Sequence, residues 1–548
     1  MNGKWMVCVT AGVLVACGGD AMVEAPGSMT VEGLAEGIRT LASDEFEGRG
    51  PSSPGEERTV AYLTEEFRQI GLEPGNGDRY VQDVPLVSIT VQGAPALAAQ
   101  ADGSQQEFAF GDEWVGWTKR VVDHATLANS DLVFVGYGVV APEYGWNDYE
   151  GVDVQGKTVV ILVNDPGFAT QDPDLFNGNT MTYYGRWTYK FEEAARQGAR
   201  GALIVHETEA AGYPWEVVRS SWTGPQFSLA SPDDNMGRVE VEGWISLDVA
   251  RRIFEVAGED LEAATASATA RDFTPVELGT AVSTSLPNTL ERSSSANVIG
   301  RLAGTDRADE YVLYMAHWDH FGRDPNLEGD QIYNGAFDNA TGTAGLLELA
   351  RAFASLDPRP SRSLLFLAVT AEEQGLLGSA YYAQNPVYPR AKTVAALNMD
   401  GLNVDGPMRD ITVIGYGNSE LDGYVEEAAA EQGRTVRSDP EPEKGYYYRS
   451  DHFSFAKEGI PALYTDAGVD HVEHGEAWTM ERRAEYTAER YHKPSDEYDP
   501  SWDLTGALED LQLLFTVGYR LATSDAFPNW REGTEFKARR DEEIAGGR

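Results

Sequence analysis

At 548 residues the chain exceeds the length at which one hydrophobic core stops growing, so two domains are expected. Its 88 acidic against 43 basic residues leave a net charge of −45, which suits a saline medium, repels anionic lipid and excludes nucleic acid as a partner. Apolar content of 42% suffices for globular cores, and no internal stretch is long enough to span a bilayer.

In chain order, residues 1–16 read as a signal peptide. Lys4 precedes an apolar run from Trp5 to Val15, the length of an h-region and too short to span. The run ends in Leu14-Val15-Ala16-Cys17, which resembles a bacterial lipobox with Cys17 as the lipidated first residue of the mature chain. An ordinary cleaved signal with an incidental cysteine is the alternative. Cys8 falls in the removed segment, so no disulfide is expected. Residues 17–28 would tether an exported protein to the bacterial cell envelope through lipid at Cys17 alone.

Met29 to Ala42 is expected to be helical. A second helix carries Val60, Leu63, Phe67 and Ile70 at spacings of three and four and ends at Gly71. Residues 131–272 differ in texture. Leu132 to Val135, Thr158 to Val163 and Ala202 to Val205 are short strand-like runs, and Tyr189 to Gln197 is helix-like. His124 and His206 are isolated there, which suggests an inserted domain without a metal cluster. From Asn297 the order is strand, loop, helix. Tyr311 to Met315, Leu364 to Val369 and Val394 to Met399 are unbroken apolar runs, as buried parallel strands should be. Thr343 to Leu356 and Leu504 to Leu521 are the helices between and after them, and residues 531–548 read as a loose charged tail. The fold class is therefore α/β, a mostly parallel central sheet with helices on both faces built from 29–130 and 273–530, plus a smaller β-rich α/β insert.

Each of those three strand runs ends in metal-type ligands. His317, Asp319 and His320 follow the first, Glu372 and Glu373 the second, and Asp400 the third. In open parallel sheets such groups converge outside the carboxyl ends of the strands. Asp338 in a loop before a helix, and His492 and Asp496 late in the chain, complete the set. Imidazoles and carboxylates without cysteine suit catalytic zinc with an open coordination position. Two zinc ions per chain need a bridging carboxylate. Asp338 as bridge, with His317 and Asp400 on one ion and His492 and Glu373 on the other, uses each cluster once. Glu372 is then free as general base, its side chain directed away from that of Glu373. Asp319 and Asp496 are candidates to orient the ligand imidazoles.

These segments, with AHWDH (316–320), GAFDNATG (335–342), TAEEQGLLGS (370–379), LNMDG (397–401), RSDHFSFAKEGIPAL (449–463) and YHKPSD (491–496), resemble the co-catalytic zinc aminopeptidase family, metallopeptidase family twenty-eight. The early LASDEFEGRGPSSPGEE (41–57) extends the likeness, and VGYGVVAPEYGWNDYEG (135–151) with GARGALIVHE (198–207) looks like the protease-associated domain that many members carry. The resemblance implies the same five ligands, Glu372 as base, Asp319 as a supporting carboxylate and Tyr491 as an oxyanion stabiliser. It implies peptide substrates and aminopeptidase action. A carboxypeptidase or dipeptidase, a glutaminyl cyclase and a non-catalytic binding ectodomain are the alternatives. Residues 465–490, with His471 and His474, form a longer polar segment than this family's loop needs, either a lid or a solvated excursion.

Overall fold

The computed structural model describes residues 28–101 and 103–547. The readings at Cys8 and Cys17 and the tether up to residue 27 lie outside the described residues. Two sheets share the chain. Hydrogen-bonded neighbours order the larger one as Thr435–Ser438, Asp410–Ile414, Ala462–Ala467, Thr393–Asn398, Arg307–His317, Arg362–Val369, Val276–Leu302, Val81–Val91 and Pro225–Leu229. The four strands from Ala462–Ala467 to Arg362–Val369 are mutually parallel, and their immediate flanking strands run antiparallel.

The unbroken apolar runs follow from burial on both faces. In Arg362–Val369 every position is buried. Leu364, Phe366 and Ala368 pack into the core under the helices Thr341–Ala354 and Thr505–Thr523. Leu365, Leu367 and Val369 point to the opposite core, with Tyr382, Phe455 and Ala456 from Leu377–Gln384 and His452–Lys457. This is the period-two alternation of a strand sandwiched by helices. The N-terminal helices form as read, at Val31–Leu41 and Pro54–Ile70. Thr30 and Ser53 accept backbone N–H bonds at their starts, and Gly71 closes the second at φ 91°.

The smaller sheet runs Ser104–Phe108, Leu97–Ala101, Val276–Leu302, His124–Phe134, Thr158–Leu162, Gly201–His206, Val241–Ser246 and Trp114–Trp117. It therefore begins at Leu97, earlier than the boundary expected at residue 131. The hairpin of Leu97–Ala101 and Ser104–Phe108 is short and polar on one side, so its partner strand, some 180 residues away, is what reveals it. The 27-residue strand Val276–Leu302 belongs to both sheets. Its residues 276–287 pair in the smaller sheet and 288–302 in the larger.

The tail is also a correction. Residues 531–548 are not loose throughout, because Lys537–Gly547 is a helix docked on the body. Phe536 is buried, and Arg540 is 1% exposed and donates to the carbonyls of Thr393 (2.9 Å) and Val394 (3.2 Å). Its guanidinium also lies 4.9 Å from the Phe527 ring. A charged composition concealed one arginine that serves as an anchor. Arg540→Ala should lower unfolding free energy by about 1–3 kcal/mol, the cost of unpaired buried carbonyls, read from the midpoint of urea unfolding.

Candidate metal centre

The three ligand-bearing strand ends lie side by side because their strands are parallel neighbours. His317 closes Arg307–His317, and its carbonyl accepts from Thr343 Oγ1 at 2.8 Å. Its Nδ1 donates to the Asp319 carbonyl at 3.2 Å, which fixes the ring with Nε2 directed at the carboxylates. Glu372 and Glu373 follow Ala371, a non-glycine residue at φ 53° that turns the chain sharply off its strand. Gly335, at φ 52°, brings the next loop so near His320 that a Cβ there would stand 2.6 Å from the ring.

Asp338 lies between two imidazoles. Its Oδ1 is 3.3 Å from His317 Nε2 and its Oδ2 is 3.4 Å from His492 Nε2. Asp400 Oδ1 is 3.3 Å from His317 Nε2, and Glu373 Oε2 is 3.2 Å from His492 Nε2. The five residues expected as ligands thus form two triads that share one carboxylate. Glu372 sits on the His317–Asp400 side, within 4.8 Å of both, whereas Glu373 groups with His317 and Asp338. The two adjacent glutamates face different parts of the centre.

The supporting carboxylates act differently from expectation. Asp319 Oδ1 is 3.9 Å from His317 Nδ1, too far for a hydrogen bond, and instead accepts the Glu372 backbone N–H at 3.1 Å. Asp496 does not hold the His492 ring. Its two oxygens accept the N–H groups of Phe337 and Asp338, each at 3.1 Å. His492 has φ 56°, and this left-handed turn sends its ring to the metal side while Asp496 remains beneath the Asp338 loop. Tyr491 stacks on His492 with ring centroids 3.7 Å apart.

Three contacts lie outside what sequence reasoning found. His320 Nδ1 donates to Glu373 Oε1 at 2.5 Å. Ser450 Oγ donates to Asp400 Oδ2 at 2.5 Å and is itself held by Asn398 Nδ2. Buried Arg49 donates to the carbonyls of Trp318, Asn334 and Gly335, tying the first strand end to the Asp338 loop. The adjacency of His320 to the ligand cluster was a signal; the other two pairs span 50 residues or more.

The segment 465–490 is folded. Glu476–Glu489 is a helix, held by Arg483 to Asp466 (2.9 Å), and its Tyr486 ring lies 4.5 Å from Phe337 beside the centre. His471 is no ligand. Its Nδ1 accepts the N–H groups of Glu473 and His474, and its Nε2 faces the Asp405 carbonyl.

Electrostatically, carboxylates dominate the centre, with buried Arg49 in their field. Burial, then neighbouring acids, holds the Glu372 and Glu373 carboxyls well above the usual range. Burial lifts Asp451 to about 7 and Asp496 to about 6. Asp338 goes the other way: burial would raise it, but hydrogen bonds from His317 and His492 hold it well below the usual range. Burial opposes charge on His317, yet Glu372 and Asp400 raise its pKa well above normal. Crowded carboxylates around two imidazole Nε2 atoms, with no thiolate among the described residues there, form a donor set fitted to divalent zinc.

A parallel sheet thus carries at its strand ends paired imidazole–carboxylate triads able to hold two divalent ions. Residues 297–516 match the model of Peptidase family M28. Aminopeptidase NAALADL1 of Mus musculus is 35% identical over 127 residues, 22% of this chain and 16% of its own length. A "Probable glutamate carboxypeptidase" of Arthroderma benhamiae is 30% identical over 253 residues, 42% of this chain and 31% of its own. The chain thus matches less than a third of the length of these relatives. In architecture it is similar to an aminopeptidase from Aneurinibacillus sp. strain AM-1, with a TM-score of 0.52, 20% identity, and coverage of 92% of this chain and 97% of that one. That likeness shows a shared fold.

Proposed function

We propose that the chain is a dinuclear zinc aminopeptidase, exported and held at a bacterial cell envelope by lipid on Cys17, releasing N-terminal residues from peptides. The carrying observation is Asp338, whose two oxygens each face a different imidazole at 3.3 and 3.4 Å. His317, Asp338 and Asp400 would hold one ion; His492, Asp338 and Glu373 would hold the other. Zinc bound there supplies a Lewis acid for the scissile carbonyl and lowers the pKa of a water. Glu372 takes the proton of the attacking water and returns it to the leaving amine. Asp319 fixes the Glu372 backbone, and His320 orients Glu373 through its second oxygen. Tyr491, stacked on His492, donates its hydroxyl to the developing oxyanion. The smaller sheet would be a protease-associated domain shaping the mouth of the site.

Two measurements test this reading. Metal analysis of the purified chain should give two zinc ions, and free N-terminal peptides should be cleaved while their N-acetylated forms are not. One zinc with activity limited to glutaminyl peptides would favour a cyclase, and cleavage of only the blocked peptides a carboxypeptidase.

A further inference from the structure

Three N–H groups of the loop that carries Asp338 end on one residue, Asp496. Its carbonyl accepts from Ala336 at 3.0 Å, and its carboxylate oxygens accept from Phe337 and Asp338, each at 3.1 Å. Asp496 is fully buried. The oxygen that takes the Asp338 N–H, Oδ2, also accepts the hydroxyl of Tyr486 at 3.4 Å. The Tyr486 ring packs on that of Phe337 with centroids 4.5 Å apart. Gly401, the neighbour of Asp400, also meets Phe337, and a Cβ there would stand 2.7 Å from the ring. Tyr486 thus touches the Asp338 loop twice, through the ring of Phe337 and through Asp496.

The tyrosine comes from the long polar segment 465–490, whose helix Glu476–Glu489 is attached to the body by one face. Thr479 is buried, and Arg483 and Tyr486 follow at spacings of four and three, which keeps all three on that face. Arg483 donates to Asp466 Oδ2 and to the Ala467 carbonyl, each at 2.9 Å. At the start of the helix the Trp478 ring packs on His471 and His474, with centroids 4.9 and 4.5 Å apart. Glu481, Ala484, Glu485 and Ala488 are exposed on the other faces. A mostly solvated helix therefore delivers one aromatic hydroxyl to the support of a candidate metal ligand. Burial first, and the charge of Asp496 next, push the Tyr486 pKa far up, so the hydroxyl keeps its proton and donates.

We infer that Tyr486 is a positioning residue for the bridging carboxylate: through Asp496 it fixes the peptide from which Asp338 projects, and the helix Glu476–Glu489 is a strut of the metal centre. A bridging carboxylate must present its two oxygens to two ions at once, so a small turn of its backbone misplaces both. With two donors on Oδ2 the Asp496 carboxylate is held against rotation, and the Asp338 N–H is held with it. Hydrogen bonds to an ionised acceptor are the stronger kind. Groups that orient metal ligands set metal affinity by about 10–100-fold. The role rests on the proposed dinuclear zinc centre and concerns its assembly, not its substrate.

The test is a calorimetric titration of the metal-free full chain with cobalt(II), repeated on Tyr486→Phe, Asp496→Asn and the double variant. Tyr486→Phe keeps the ring on Phe337 and removes only the hydroxyl. It should weaken the more loosely held ion by about tenfold. Its kcat at limiting zinc should fall and be restored by excess zinc, with KM unchanged. Asp496→Asn should weaken the ion at least as much, and adding Tyr486→Phe to it should change little more, since both act through one contact. Equal metal affinity in Tyr486→Phe and the unmutated chain would overturn the role, whatever happens to Tm. A raised KM at unchanged metal affinity would overturn it in favour of a substrate wall, and losses that add in the double variant would break the link through Asp496. Arg483→Gln frees the helix from Asp466 and Ala467 without touching Asp496 and should loosen the same ion. If Tyr486→Phe does not fold, unchanged affinity in Arg483→Gln refutes the strut. Uptake of one ion by the unmutated chain would sink the dinuclear reading instead. Asp338 belongs to both triads, so equal affinity of the variants for that one ion would still refute the role of Tyr486.

Discussion

Glu372→Gln is expected to retain its zinc and to lose about 10²–10⁴-fold in kcat, the usual range for removing a general base. The substitution keeps the side chain's size and its place on the His317–Asp400 side, but an amide cannot accept the water's proton. Because Glu372 belongs to neither triad that shares Asp338, metal content measured on the same preparation should match that of the unmutated chain. Substrate KM should change little. A variant that lost zinc in step with turnover would make Glu372 a ligand, and one that stayed active would end its role as base.

Metal removal should have the second large effect, on stability as well as turnover. Burial raises the carboxyls of Glu372, Glu373 and Asp319, with Asp451 at about 7 and Asp496 at about 6. A carboxyl whose folded pKa lies above its unfolded value, near 4, favours the metal-free fold at low pH. That contribution is lost as pH rises through the folded pKa. Buried His320 and His452, lowered to about 4 and 3, act in the opposite sense, and their effect is complete above about pH 6.5. The Tm of chelator-treated protein should therefore fall between pH 6.5 and pH 8. Zinc at about a thousand times its Kd should restore about 4 kcal/mol per independent site, and the Tm gain on adding it should grow over the same interval. A metal-free Tm that rose with pH would refute this account of the charges.

Much of this centre is legible in one dimension because parallel strands expose their chemistry at one end. Arg307–His317, Arg362–Val369 and Thr393–Asn398 each carry an unbroken apolar run, 311–316, 364–369 and 394–397, and a candidate ligand follows each within three residues. The pairing of Asp319 and Asp496 with imidazoles could not be read that way. Backbone turns at Ala371 and His492, both left-handed, decide which N–H or ring each carboxylate meets. Nor could Leu97–Ala101 be read that way, since its alternation is too short to signal a strand until Val276–Leu302 lies beside it. Arg540 was hidden by its charged neighbours, since composition averages over a helix and burial acts on one side chain.

The strand Val276–Leu302 has a practical consequence. It acts as a single rod through both halves of the molecule, so the smaller domain is not a cassette that can be excised at residues 131 and 272. Removing that span would take away Thr158–Leu162, Gly201–His206 and Val241–Ser246 with the partners of 276–277, and leave 97–101, 276–287 and 124–130 as a bare-edged ribbon projecting from an otherwise finished fold. Unpaired N–H and C=O groups along such a ribbon recruit other chains. A truncated enzyme prepared that way is expected to precipitate or form β-linked aggregates, and its inactivity would say nothing about the contribution of the missing domain to peptide selection.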